Sequence, residues 1–518
     1  MNMRVDVVAA PVRYRRMPLV LLLLIAIVPT VILAAAYLRL DREADRYDAR
    51  VEALATSSLG EPGDLDDLDD ALSAAEVAAA ARRAALSTSL FQYRRIPGPS
   101  ADLANAIELR SEVRPVFGFL NEESCVAVSA NGLDVAGHNP DRAVVPASVQ
   151  KVLVAAVALE VLGPDYTFTT SVRTPLPVDG VVEGDVYLVG GGDPLLTSDD
   201  YPIDEDRYPA FSTTSLDVLA DAFVANGITR IRGTVIGDGT RYDDEFVVEG
   251  WGPGVAFDSA GPYDALLVND ARVLGRGQAD DPNRGAAREL ARLLGNRDVR
   301  VDDGWGSGQA ATNTQVIGTV ESAPLSEIVR EMLTTSDNNT AEMLVKEIGR
   351  ADAGASETAG IGTRAAGLTV IDRTLRTWGV PMAGVRVLDG SGLHLENRLT
   401  CAALLHVLQR APGTAVASGL PLAGETGTLS DEFIGSPVAG RLFAKTGTLN
   451  NPPVGEPPPA AKSLAGFVTS PAGGTIEFAI ILNAAELPEP TYRQIWAEFA
   501  TRFSTFPAIT DVTTLGPQ

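Results

Sequence analysis

The apolar positions of the chain fall into blocks of different texture. Met17 to Leu38 is a run of 22 residues without a charge, enough helix to cross a hydrocarbon core of ~30 Å. From 39 to about 90 acids, arginines and alanines alternate, with the acidic run Glu61 to Asp70 in the middle, and this reads as a solvated linker. Beyond Pro97 the pattern becomes that of a folded domain. Ala101–Val116 reads as a helix, and Ser124–Val135 as a β-hairpin, because Asn131-Gly132 suits the positive φ of a tight turn. Val152–Leu162 is apolar almost all the way round, the mark of a helix buried in a core, and Gly163-Pro164 stops it.

After Tyr166 short β-branched segments, Thr167–Val172, Asp185–Val189 and Gly233–Ile236, are punctuated by Gly, Pro and Asp, with brief helical patterns at Ser215–Asn226 and Gly285–Leu294. Two helices, Leu325–Leu333 and Thr340–Ile348, then meet at a short polar junction, and a third covers Thr400–Gln409. Leu442–Leu449, Ser463–Val468 and Ile476–Leu482 read as three consecutive strands of an antiparallel sheet edge, closed by a helix over Tyr492–Phe503.

Composition narrows the possible chemistry. A formal charge of -25 with no compensating basic stripe argues against a nucleic-acid partner. Two cysteines, Cys125 and Cys401, and three scattered histidines form no metal-binding pattern, so neither a metal nor a cofactor is expected. A disulfide between the two cysteines is permitted in an oxidising compartment and required by nothing in their spacing. Arg13, Arg15 and Arg16 precede the apolar span and would stay in the cytoplasm, which places the bulk of the chain outside it. The span is then either an anchor or, with Ala34 and Ala36 as an A-x-A site, a long signal peptide.

Lysine is scarce. Of 42 basic residues only Lys151, Lys346, Lys445 and Lys462 are lysines. A site that needs a neutral amine at neutral pH must use lysine, since arginine is not deprotonated in proteins. Lys151 stands three residues after Ser148 at the start of the apolar helix, where the two side chains share a face and a nucleophile can stand beside its base. The first turn also offers unpaired N–H groups to an oxyanion. Ser336-Asp337-Asn338 lies at the helix junction, and Lys445-Thr446-Gly447 lies on the first of the three strands.

S-x-x-K, S-D-N and K-T-G in this order also occur in class A β-lactamases and penicillin-binding proteins. With PASVQK, SDNNTAEML, DGSGL followed by NRLT, and AKTGTL followed by SLAGFV, the chain resembles the class C low-molecular-mass penicillin-binding proteins, the D-alanyl-D-alanine carboxypeptidase/endopeptidase family, over about residues 90–505. The resemblance implies an α/β three-layer transpeptidase domain, an antiparallel sheet covered by helices, with a β-rich insertion. The 184 residues between Lys151 and Ser336 leave room for that insertion. The expected division is a cytoplasmic tail at 1–16, the apolar span at 17–38, the linker at 39–89, a discontinuous catalytic domain at 90–178 and 320–505, the insertion at 179–319, and a tail at 506–518.

The expected function is that of a serine-type D-Ala-D-Ala carboxypeptidase, or also DD-endopeptidase, acting on peptidoglycan peptides that end in D-Ala-D-Ala and acylated by β-lactams. Ser148 would attack the peptide carbonyl and Lys151 take its proton. Ser336 would relay a proton to the leaving amine, and Asn338 hold the substrate amide and Lys151. Lys445 would meet the terminal carboxylate, Thr446 and Thr448 add hydroxyls, and Gly447 leave room for a peptide along the strand. The N–H groups of Ser148 and Thr448 would form the oxyanion hole. Asp337 reads as a helix cap, Gly424 to Leu429 as a structural turn that nearly repeats the third motif, and Lys346 and Lys462 as structural. Two rivals remain: a serine β-lactamase, and a wall-binding protein without turnover.

Overall fold

The computed structural model describes residues 97–202, 212–251, 255–256, 259–273, 277–352, 360–450 and 459–509. The apolar span Met17–Leu38 and the linker at 39–89 lie outside the described residues. Among those described, no helix is long and apolar enough to cross a membrane.

Helix α1 (Pro97–Val113) leads through a short 3₁₀ segment to strands β1 (Cys125–Ala130) and β2 (Leu133–His138). The hairpin turns at Asn131 and Gly132, both at positive φ, as the sequence predicts. Helix α2 (Lys151–Leu162) follows. Then come β3 (Thr169–Thr174), β4 (Val186–Val189), α3 (Asp217–Ala225), β5 (Val235–Asp238), α4 (Pro282–Gly295), β6 (Trp305–Ser307) and β7 (Gln315–Glu321). The chain continues as α5 (Leu325–Thr335), α6 (Asn338–Asp352), α7 (Arg364–Thr377), α8 (Cys401–Arg410), β8 (Leu442–Asn450), β9 (Pro459–Thr469), β10 (Thr475–Asn483) and α9 (Glu489–Phe503).

The main sheet runs β8-β9-β10-β1-β2 and every neighbouring pair is antiparallel. Its central strands are covered on both faces, which is why their sequences read as continuous apolar runs. On β10, Ile476, Phe478, Ile480 and Leu482 pack with α1 and α9, while Ala479 and Ile481 face the layer of α2, α5, α6, α7 and α8. This is the three-layer α/β arrangement that the resemblance implies. Cys125 on β1 and Cys401 at the start of α8 form a disulfide that ties the sheet to the helical layer.

A second sheet runs β6-β5-β4-β3-β7. It is more mixed than the expected β-rich insertion: β6, β5 and β4 are mutually parallel, β3 and β7 antiparallel. The parallel pairs need crossovers, and α3 and α4 supply helices that pack on its apolar face through Leu219, Phe223, Leu290 and Leu294. A further cluster, including Tyr242, Trp251, Tyr263, Met343 and Leu393, joins the segment after β5 to the helical layer.

Candidate active site

Ser148 lies in a 3₁₀ turn, Ala147–Gln150, that runs directly into α2. Residues three apart are eclipsed in such a turn, so Lys151 stands over Ser148. Its Nζ donates to Ser148 Oγ at 2.8 Å, to Asn338 Oδ1 at 2.6 Å and to the carbonyl of Ser391 at 2.8 Å. Those three contacts use all three donors of an ammonium. Lys151 is fully buried, and burial pulls its pKa down to about 8, against the carboxylates of Asp337, Asp389 and Glu342, which pull it up.

The turn is braced from three sides. Ala147 has φ 52°, a left-handed conformation that costs energy for a residue with a Cβ. Gly447 lies against it: a Cβ there would stand 3.1 Å from Ser148 N and 3.0 Å from Pro146 O. The missing side chain therefore lets β8 approach the nucleophile's turn, a different use of this glycine from the open lane for a peptide that the sequence predicts. From the neighbouring strand, Ser463 Oγ donates to Pro146 O at 2.8 Å. On the other side a Cβ at Gly392 would meet Ala147 O at 2.1 Å.

Gly392 belongs to the Asp389-Gly390-Ser391-Gly392 turn, which the sequence shows only as a turn. Asp389 organises it, accepting from Gly392 N, Asn397 Nδ2, Gln150 Nε2, Trp251 Nε1 and His394 N. Glu342 of α6 accepts from Gly390 N and Ser391 N. The result is a fixed Ser391 carbonyl aimed at Lys151.

Ser336 ends α5 at φ 67°, and Asn338 begins α6. Asp337 Oδ1 accepts from Thr340 N at 2.5 Å, the capping contact predicted for it. Asn338 spans the cleft, its Oδ1 on Lys151 and its Nδ2 donating to Ser259 O at 2.6 Å. Ser148, Ser336, Asn338, Thr446 and Thr448 line one cavity of about 380 Å³. Lys445 does not line it. That side chain is fully buried, its Nζ donates to Thr446 O at 2.9 Å, and burial together with the Lys151 charge holds its pKa well below the usual lysine range. Thr446 Oγ1 donates to Thr428 Oγ1 at 2.7 Å, so the near-repeat of the third motif folds as a short turn that brings one hydroxyl to the cavity.

Lys462, read from sequence as structural, lines the same cavity. Lys346 is structural as read, buried and bound to Asp243 and to the carbonyls of Asp243 and Glu245. Sequence reasoning missed Lys462, Thr428, Ser259 and the Ser391 carbonyl. Only strand register and loop closure bring these to the cleft.

A nucleophile hydrogen-bonded to a desolvated amine, beside a row of hydroxyls, is equipped for acyl transfer. The model of the D-Ala-D-Ala carboxypeptidase 3 (S13) family matches residues 122–274 and 268–503. The chain belongs to that family. Membership makes it a D-Ala-D-Ala carboxypeptidase, the activity implied by the motifs. A D-alanyl-D-alanine carboxypeptidase of Actinomadura sp. (strain R39) is 29% identical over 507 residues, covering 79% of this chain and 88% of that protein. Carboxypeptidase DacB of Mycolicibacterium smegmatis is 33% identical over 355 residues, 66% of this chain and 71% of the relative. Among solved structures, penicillin binding protein 4 of Haemophilus influenzae aligns with TM-score 0.61 at 19% identity, over 76% of this chain and 98% of that one. At that identity the likeness is one of fold, and it places the S13 chain on the three-layer architecture described above.

Proposed function

We propose that the protein is a serine-type D-Ala-D-Ala carboxypeptidase of peptidoglycan stem peptides, with Ser148 as nucleophile and Lys151 as its general base. The observation that carries this reading is the buried Lys151 amine, 2.8 Å from Ser148 Oγ, with its pKa pulled down to about 8. Its free-base fraction at neutral pH is large enough to accept the serine proton as Oγ bonds to the carbonyl carbon. The C–N bond then breaks, the D-alanine amine takes a proton through Ser336 or Lys151, and water cleaves the ester, restoring the Ser148 hydroxyl. Asn338 holds Lys151 and the substrate amide. Thr446 and Thr448 offer hydroxyls, Lys445 holds the strand from beneath through the Thr446 carbonyl, and Gly447 lets the strand lie against the serine turn. The N–H groups of Ser148 and Thr448 face the forming oxyanion. The same site would serve DD-endopeptidase cleavage, in which the leaving amine belongs to a second peptide.

A β-lactam presents a strained amide and a carboxylate to the same groups, so it should acylate Ser148. A labelled penicillin should give one adduct, placed at Ser148 by mass spectrometry and released over minutes or longer. Labelling that survives Ser148→Ala would sink the assignment, and rapid multiple turnover of penicillin would favour the β-lactamase rival. Glu432, a carboxylate lining the cavity, has its pKa raised by burial against the opposing charge of Arg493, which holds it at 2.9 Å, so it is the residue to replace if penicillin turnover proves fast.

The domain division belongs to the same proposal: residues 90–178 and 320–505 would form the catalytic domain around an insertion at 179–319, with β3 and the end of β7 carrying the chain across those bounds into the second sheet. The apolar span Met17–Leu38 would hold the enzyme on the outer face of the cell membrane through the linker at 39–89. Full-length protein should then sediment with membranes and a chain lacking residues 1–38 should not; equal sedimentation would remove the anchor.

A further inference from the structure

We propose that Lys462 is a specificity residue of this enzyme, the cation that reads the C-terminal carboxylate of the peptide. This rests on the functional reading above and adds a residue that none of the three motifs contains. Lys462 on β9 is the direct cross-strand partner of Thr448 on β8. Directly opposed residues of an antiparallel pair project from the same face, and here that face is the wall of the cleft. Lys462 Nζ donates to Thr448 Oγ1 at 2.8 Å and lines the cavity with Ser148 and Asn338.

Three further observations make this the charge that a ligand would meet. First, Lys445 points to the other face of β8, is fully buried, and is absent from the cavity wall. Second, the Lys462 ammonium has no carboxylate within ion-pairing distance among the described residues. The nearest candidate on the cavity wall, Glu432, is paired with Arg493, which also bonds Glu489 at 3.1 Å. Third, the ring of Tyr492 lies 4.3 Å from Lys462 Nζ, a cation–π seat that holds the ammonium from below without consuming its hydrogen-bond donors. Burial and Arg493 lower the Lys462 pKa, and Glu432 and Glu489 work against them.

The hydrogen-bond directions complete the argument. An ammonium has three donors, and one is spent on Thr448. Because Thr448 Oγ1 accepts that bond, its own proton is left to donate. Lys462 and Thr448 together therefore offer a charged and a neutral donor to the two oxygens of one carboxylate, a two-point contact that a C-terminal amide cannot match.

The test compares a synthetic acyl-D-Ala-D-Ala peptide with the same peptide carrying a C-terminal carboxamide, using the wild-type enzyme, Lys462→Gln and Lys462→Arg. Losing one charge-assisted contact is worth about 10–100-fold. Lys462→Gln should lower the carboxylate-over-amide preference in kcat/KM by at least about tenfold, mainly through KM, and Lys462→Arg should restore most of it. Acylation of Ser148 by a penicillin and by its methyl ester gives the same ratio stoichiometrically. Both are ratios within one preparation, so a partly misfolded variant still reports. An unchanged preference in Lys462→Gln, in an enzyme whose wild type turns over the peptide, overturns this inference alone. A wild type that turns over neither peptide and is not acylated overturns the functional reading and this one with it.

Discussion

At the scale of single residues, the site turns on one amine kept short of its usual charge. Burial drives the Lys151 pKa down while Asp337, Asp389 and Glu342 restrain it, and the balance is about 8. Only the free base can take the proton of Ser148. Below about pH 8 the acylation rate should therefore fall roughly tenfold per pH unit, and above it level off, with roughly a tenth of the amine free at pH 7. Arginine keeps the charge but has a pKa above ~12, so Lys151→Arg should lose about 10²–10⁴-fold in acylation across the whole range. Second-order acylation rates from pH 6 to 9 decide this; a flat wild-type profile, or an arginine variant at wild-type rate, would put the base elsewhere. Lys151 was legible because lysine is rare in this chain and the serine stands three residues before it. Lys462 is equally rare and reads from sequence as structural, because its place in the cleft depends on which residue of β8 lies opposite, and register is a property of two strands.

At the scale of elements, the readable ones carry their own signal. The Asn131-Gly132 turn, the all-round apolar α2 and the doubly covered β10 are each marked by local pattern. The edge of the second sheet is not: β7 has exposed and half-buried positions throughout, and β6 is three residues long. Helix α7 went unread although it has a cap, Thr363, whose Oγ1 accepts from Ala366 N at 3.2 Å. The order of strands was beyond local reading altogether. β1 lies beside β10 in register from Cys125 with Ile481 to Ala130 with Ile476, and no periodicity within either segment names the other. The same holds for the disulfide, which the spacing left open and which forms because β1 and the start of α8 meet across the core. Motifs in this fold sit where elements begin: Lys151 opens α2 and Asn338 opens α6. There backbone groups and helix dipoles are unsatisfied and can serve chemistry.

At the scale of the molecule, one of the links between the catalytic helices and the segment after β5 is a buried carboxylate, Glu347, on the same helix as Asn338. Its oxygens accept from Arg241 Nη2 at 2.6 Å and Nε at 2.9 Å, from Tyr242 Oη at 2.9 Å and from Tyr166 Oη at 2.7 Å. Burial alone would raise the Glu347 pKa; Arg241 and the two tyrosines bring it below the ordinary 4.5. The sign of the linkage follows. A depressed pKa means that the ionised hub stabilises the fold above the unfolded value of about 4.5, and that this contribution is lost as pH falls through the folded value. Arg241→Met removes the two-bond partner and leaves the buried carboxylate with only the two tyrosines and Arg350, 4.0 Å away, a defect of the kind that costs up to about 3–5 kcal/mol when a buried pair is broken from one side. In that variant burial is opposed only by the two tyrosines and the more distant Arg350, so Glu347 should take up a proton in the folded state more readily and the defect should ease in acid. Urea unfolding at pH 7.5 and pH 4.5 should therefore show a gap between wild type and variant that narrows as pH falls. The double variant Arg241→Met/Glu347→Leu, which buries no charge, should recover part of the loss at pH 7.5. A gap below about 1 kcal/mol at pH 7.5, or one that is the same at both pH values, would mean that apolar contacts around Tyr242 and Tyr263 join these elements, and that the ionised hub does not.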